Sequence, residues 1–134
     1  MTTRMALMTG ISLTKPSLVQ RMTRAIVTRF DDEFDLLVTP TMSIQPPPVG
    51  LLAAAHEGAG TGMPPMEVVA MAAFTAVFNI TGQPAVSLPL YQAPSGLPVG
   101  VQLVAGPWQE ARLVRVASQL ELADPWAARH PTVE

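Results

Sequence analysis

Ala85-Val86-Ser87-Leu88-Pro89-Leu90, a turn through Pro94-Ser95-Gly96, and Val99-Gly100-Val101-Gln102-Leu103-Val104 decide how this chain is read. Two short β-prone runs flank a Pro/Gly turn, the signature of an antiparallel hairpin. Gly100 inside the second run marks a bulge or a close approach of backbone. Gly106-Pro107 then opens an amphipathic helix. Leu113, Val114, Ala117 and Leu120 are expected on its inner face, with Gln109, Glu110, Arg112, Arg115, Ser118 and Glu121 in water. Asp124-Pro125 ends it.

Upstream of the hairpin, Glu67 to Phe78 is apolar almost throughout and lacks proline, so it is predicted to be one buried helix. Asn79-Ile80-Thr81-Gly82-Gln83-Pro84 stops it with turn chemistry. Phe34-Asp35-Leu36-Leu37-Val38-Thr39 before Pro40 reads as a buried strand. Thr41 to Pro65 is loop-rich, with a stiff Pro46-Pro47-Pro48 and a possible short helix from Leu51 to His56. Further upstream, Leu18, Val19, Met22, Ala25, Ile26 and Phe30 recur at helical intervals. Pro16 suits an early position of that helix. Asp31, Asp32 and Glu33 would oppose the macrodipole at its C-terminus and are expected just outside it. No internal repeat and no linker divides the chain, so residues 1–134 are read as a single partial domain.

Composition narrows the function. The 134 residues are 49% hydrophobic and 13% charged, against about 25% charged in an ordinary soluble domain. So apolar a short chain implies surface that other protein covers. A net charge of −2 offers no basic stripe, so no nucleic-acid partner is expected; Arg21, Arg24 and Arg29 read as a solvated helix face. No apolar run is long enough to span a membrane, and the first residues do not form a signal peptide. Cysteine is absent, which excludes disulfides and thiolate chemistry and fits a cytoplasmic setting.

Catalytic motifs are equally sparse. His56 and His130 stand alone, whereas a zinc site needs three or four clustered donors. No metal and no cofactor is therefore expected. Gly58, Gly60 and Gly62 do not continue into a phosphate-binding Gly-Lys-Ser/Thr. No serine lies in a G-x-S-x-G elbow. Ser87 falls within a strand and Ser118 on a helix face, both structural places. Lys15, the single lysine, lies beside Pro16 with neither burial nor a nucleophile to activate it.

Three blocks, taken in order, resemble the C-terminal part of amidase-signature enzymes. They are Phe34 to Thr41, Phe74 to Pro89, and Gly96 to Val104 followed by the helix from Glu110 to Glu121. The likeness covers about residues 16 to 131, with Trp126 and Pro131 suiting the tail. It implies an α/β chain: the C-terminal portion of an α/β/α fold whose mixed sheet is flanked by helices. Such enzymes hydrolyse amides with a Ser–cis-Ser–Lys triad, whose nucleophile lies with the oxyanion-hole amides in a glycine- and serine-rich segment far upstream of these blocks. This chain has no Ser-Ser pair and no such segment, so no catalytic residue carries over. The expectation is a truncated or split amidase, inactive alone, or else an interaction module pairing with a chain that bears the triad; a small standalone binding domain is the third possibility. A homodimer, a complementing chain, or a small amide substrate bound after completion are its expected partners.

The resemblance also implies that the helix before Asn79 lines an acyl pocket, making Met71, Phe74, Thr75 and Phe78 candidate substrate-binding residues. Gly82 and Pro84 would serve the turn, and Thr39 to Thr41 the rim of the site. The glutamine-using branch carries an acid where this chain has Ala72. Without that charge a substrate ammonium would lack a partner, which implies an apolar or aryl amide.

Overall fold

A computed structural model describes residues 17–53 and 65–129. Pro16, Lys15, His56, the Gly58–Gly62 run, Pro131 and His130 lie outside these. The order of elements is α1 (Leu18–Val27), α2 (Arg29–Asp32), β1 (Leu36–Pro40), α3 (Met66–Ala72), α4 (Ala76–Thr81), β2 (Ala85–Gln92), β3 (Pro98–Ala105) and α5 (Glu110–Ala123). Leu51 to Ala53 are also helical, which leaves the rest of the helix expected to His56 outside the described residues.

The hairpin read from the sequence forms. β2 and β3 pair antiparallel, with Ser87 opposite Gln102 and Leu88 opposite Val101, and the register slips between Leu88 and Tyr91. β1 pairs with the other side of β3, also antiparallel, giving the order β1-β3-β2. The α/β class therefore holds, and both described pairings, part of the larger sheet expected of the family, are antiparallel.

Because side chains alternate across a strand, β3 feeds two cores. Leu103 and Ala105 face α5 and bury Leu88 and Leu113, with Leu36, Val116, Leu120 and Trp126 packed around them. Val104, fully buried, points the other way onto Phe30 and Phe78, joined by Ile26, Phe34, Leu37 and Val77. Helices thus cover both faces of the sheet, as an α/β/α arrangement requires.

Four expectations need correction. Glu67 to Phe78 is two short helices broken at Ala73–Thr75, not one buried helix. Three carbonyls there are diverted: Ala70 O accepts from Ser43 Oγ (2.5 Å), Ala72 O from Thr75 Oγ1 (3.4 Å), and Phe74 O from Gln102 Nε2 (3.4 Å). Side chains that compete for backbone carbonyls in this way interrupt a helix. The segment is also exposed at Val69, with Phe78 its buried residue.

The acids are the second. Asp31 and Asp32 lie inside α2, with Glu33 as its C-cap. α1 closes one turn earlier, where Thr28 Oγ1 donates to Arg24 O at 2.9 Å. Glu33 then faces Arg29 at 3.7 Å across one turn. α1 itself starts at a capping box that the sequence reading passed over: Ser17 Oγ accepts from Gln20 N–H, and Gln20 Oε1 accepts from Ser17 N–H.

The third concerns α5. Val114 is exposed and Val116 takes its place on the core. Leu113, Val116, Ala117 and Leu120 are spaced i, i+3, i+4, i+7, whereas Val114 lies about 100° around the helix from Leu113. The fourth is β1, which is only half-buried and leaves Val38 59% exposed.

Candidate functional site

Gln102 organises the sheet face that α1, α2 and α4 partly cover. It is the one polar side chain of β3 and is buried. Its Nε2 donates to Thr39 Oγ1 at 3.1 Å and to Phe74 O at 3.4 Å. The bond to Phe74 ties the α3–α4 break to the middle of the sheet. One residue pair further along the same face, Thr41 Oγ1 and Ser87 Oγ share a hydrogen bond of 2.5 Å. They meet over Gly100, where a Cβ would stand 2.7 Å from Thr41 Oγ1 and 2.8 Å from Ser87 Oγ. Gly100, expected at a bulge or a close approach of backbone, is crowded by side-chain hydroxyls instead.

A strip of hydroxyl and amide groups, Thr39–Gln102–Ser87–Thr41, therefore crosses all three strands. Apolar hollows flank it. One, of about 450 Å³, lies between α1, α2, β1 and the α3–α4 break, walled by Ile26, Phe30, Phe34, Leu37, Phe74, Val77 and Phe78, with Thr39 at its edge. Phe30 and Phe34 meet edge to face in its wall, with ring centres 4.8 Å apart. The other, of about 410 Å³, lies between the Thr41–Pro46 loop and Leu97–Gly100.

Of the four candidate substrate-binding residues, the fold brings Phe74 and Phe78 together in the first hollow. Met71 is half-buried on α3 and does not line it, and Thr75 turns its hydroxyl back onto Ala72 O. Ala73, rather than Ala72, borders the hollow. Gly82 caps α4 in the left-handed region, φ 72°, and Pro84 O accepts from Ala105 N–H at 3.0 Å. Both serve the turn.

Two residues of this framework were missed in the sequence. Gln102 is one; an amide alone in an apolar strand was the available signal. Gln83 is the other. Buried after the turn, it donates to Ala105 O and accepts from Thr81 Oγ1, each at 3.1 Å. Nothing in a turn sequence distinguishes it. Among the described residues no group of acids and histidines could hold a metal ion, and no helix is long and apolar enough to cross a membrane. Ser87 Oγ has another hydroxyl against it, not a base.

Comparison with known proteins follows this framework. The amidase family model matches residues 4–114. A 6-aminohexanoate-cyclic-dimer hydrolase of Pseudomonas sp. (strain NK87) is 45% identical over 102 residues, which are 73% of this chain and 20% of that protein. A putative amidase, AmiC, of Mycobacterium tuberculosis (strain ATCC 25618 / H37Rv) is 43% identical over 110 residues, 82% of this chain and 22% of that protein. A solved 6-aminohexanoate cyclic dimer hydrolase complexed with substrate superposes with a TM-score of 0.75 at 37% identity, covering 85% of this chain and 24% of that one. The chain spans about a fifth of the length of the curated relatives it matches. On sequence and fold together, the chain belongs to the amidase family.

Proposed function

We propose that this chain supplies one part of an amidase-type hydrolase: the apolar acyl-side wall of its substrate site, with the triad carried by protein outside the matched stretch. The observation that carries this is the joining of Phe74 and Phe78 in an apolar hollow beside the polar strip. The parent reaction is hydrolysis of a carboxylic amide to an acid and an amine or ammonia. The hollow's mainly apolar lining, with no acid in it, favours an apolar or aryl amide over glutamine. A relative named for hydrolysis of the 6-aminohexanoate cyclic dimer is consistent with such a substrate. Alone, the 134 residues hold neither a Ser-Ser pair nor a serine elbow, so the chain by itself turns over no amide.

Two assays test this. Purified chain incubated with the 6-aminohexanoate cyclic dimer and with simple anilides is expected to match the buffer blank; amidase-like turnover lost on mutating one of its serines would refute the proposal. The second replaces the matched stretch of the cyclic-dimer hydrolase with this chain's counterpart. The chimera is expected to hydrolyse amides, and Phe74→Ala or Phe78→Ala to raise KM by roughly tenfold, about 1.4 kcal/mol of lost apolar contact. Unchanged KM in both variants would remove Phe74 and Phe78 from the site.

A further inference from the structure

Gln102 stands at the centre of the sheet, opposite Thr39 on β1 and Ser87 on β2. A carbonyl only accepts, so the bond to Phe74 O fixes which end of the amide faces the hollow's wall: the NH2 group. That group holds two parts of the wall at once, Thr39 Oγ1 at 3.1 Å and Phe74 O at 3.4 Å. Two residues along the same face of β3, Val104 is fully buried with Phe30 and Phe78. One strand therefore seats both aromatic candidates, Phe78 by packing and Phe74 by its carbonyl.

The bond to Phe74 belongs to the break between α3 and α4. In an unbroken helix Phe74 O would accept from Phe78 N–H, four residues on. Here Phe78 N–H donates to Thr75 O at 3.2 Å, and among the described residues no backbone N–H donates to Phe74 O. The amide of Gln102 is what that carbonyl has instead, and Phe74 is half-buried beside it.

We propose that Gln102 is the positioning residue of the hollow: by holding Phe74 O it fixes the aromatic wall against which the acyl chain of an amide substrate packs, and so sets a preference for long apolar acyl groups. This rests on the reading that the hollow is the acyl side of an amidase site. A space of about 450 Å³ is far larger than an acetyl group, which has too few atoms to reach the rings, whereas a hexanoyl chain has the length to touch them. Gln102 itself touches no substrate and acts through Phe74. Once its amide is lost, Phe74 O takes Phe78 N–H, the break closes, and the Phe74 ring turns about the helix axis away from its place beside Val77 and Phe78.

The chimera with the cyclic-dimer hydrolase tests this on two probes, acetanilide and hexananilide, through the ratio of their kcat/KM values. The unsubstituted chimera is expected to prefer hexananilide. Gln102→Leu should reduce that preference about tenfold, mostly through the KM for hexananilide, with acetanilide changed by less than about twofold. Gln102→Glu should recover the preference as the pH falls, because its carboxyl donates to Phe74 O only when protonated, and burial raises the pH at which that happens. Titration of the shared catalytic groups cancels in the ratio. Gln83→Leu, which removes an equally buried amide from Ala105 O, should cost stability and leave the preference as it was. Far-UV circular dichroism checks that Gln102→Leu folds; if it does not, Gln102→Glu compared with itself across pH decides the matter. Gln102→Leu that keeps the preference, or slows both anilides alike, while Phe74→Ala removes the preference, overturns the role of Gln102 and leaves the proposed function standing. So does a loss of preference shared equally by Gln83→Leu. A preference that Phe74→Ala and Phe78→Ala leave untouched, or no preference at all, overturns both.

Discussion

Gly100 is the residue at which space, not conformation, forbids a side chain. A methyl group there would press on two hydroxyls that already share a hydrogen bond, and Thr41 Cβ stands only 3.1 Å from it. Gly100→Ala must therefore part Thr41 from Ser87 or bend β3. Overpacking of this kind costs about 1–3 kcal/mol. In the chimera with the cyclic-dimer hydrolase, urea unfolding is expected to keep its slope and lower its midpoint, the slope times the shift giving that loss; an unshifted midpoint would mean that the strip yields freely. The sequence disclosed that Gly100 needed room. It could not disclose from what, because Ser87 reaches it from β2 and Thr41 from the residue just after β1. Gln102 shows the same limit. Its polarity was visible, but its partners, Thr39 and the carbonyl of Phe74, are set by register and by a helix break.

Among the elements, those whose apolar pattern was strict were legible, and those shaped by side chain to backbone bonds were not. The hairpin and α5 follow from their own residues. The break between α3 and α4 does not, since two of the groups that divert its carbonyls, Ser43 and Gln102, lie outside the segment. The pocket wall was legible only in part for the same reason: the break decides that Phe74 and Phe78 face the hollow while Met71 does not. How α5 is held is decided by magnitude. Arg112 Nη1 reaches Asp35 Oδ1 at 2.5 Å, but the Asp35 side chain is 84% exposed, and such pairs contribute about 0–1 kcal/mol. Leu113 is buried to 4% in the core under the helix, and truncating such a leucine costs about 2–5 kcal/mol. Leu113→Ala should therefore lower stability several times more than Asp35→Asn in the same denaturation assay. Comparable losses would assign α5 to its ion pair instead.

For the whole molecule, the proposed function gives the high apolar content and the open faces one cause. α1 has a marked apolar stripe yet no buried residue, and Leu18 and Val19 are exposed along it. Met66, Val69, Val38 and Ile80 add exposed apolar surface on α3, β1 and α4. A self-sufficient domain of this size would bury such side chains, each worth about 1.5–3 kcal/mol when fully removed from water. On the proposed function, that stabilisation comes from protein that covers them. The isolated chain is accordingly expected to bind a hydrophobic dye such as ANS and to unfold over a broad denaturant range. Adding the larger portion of an amidase-family relative should abolish dye binding and sharpen the transition. Linkage sets the size of the gain: at a free partner concentration of about 100 times Kd, the folded state gains roughly 2.7 kcal/mol. Dye fluorescence and urea unfolding followed against partner concentration measure both. An isolated chain that excludes the dye and unfolds sharply would instead be a complete small domain, its exposed apolar side chains needing no cover.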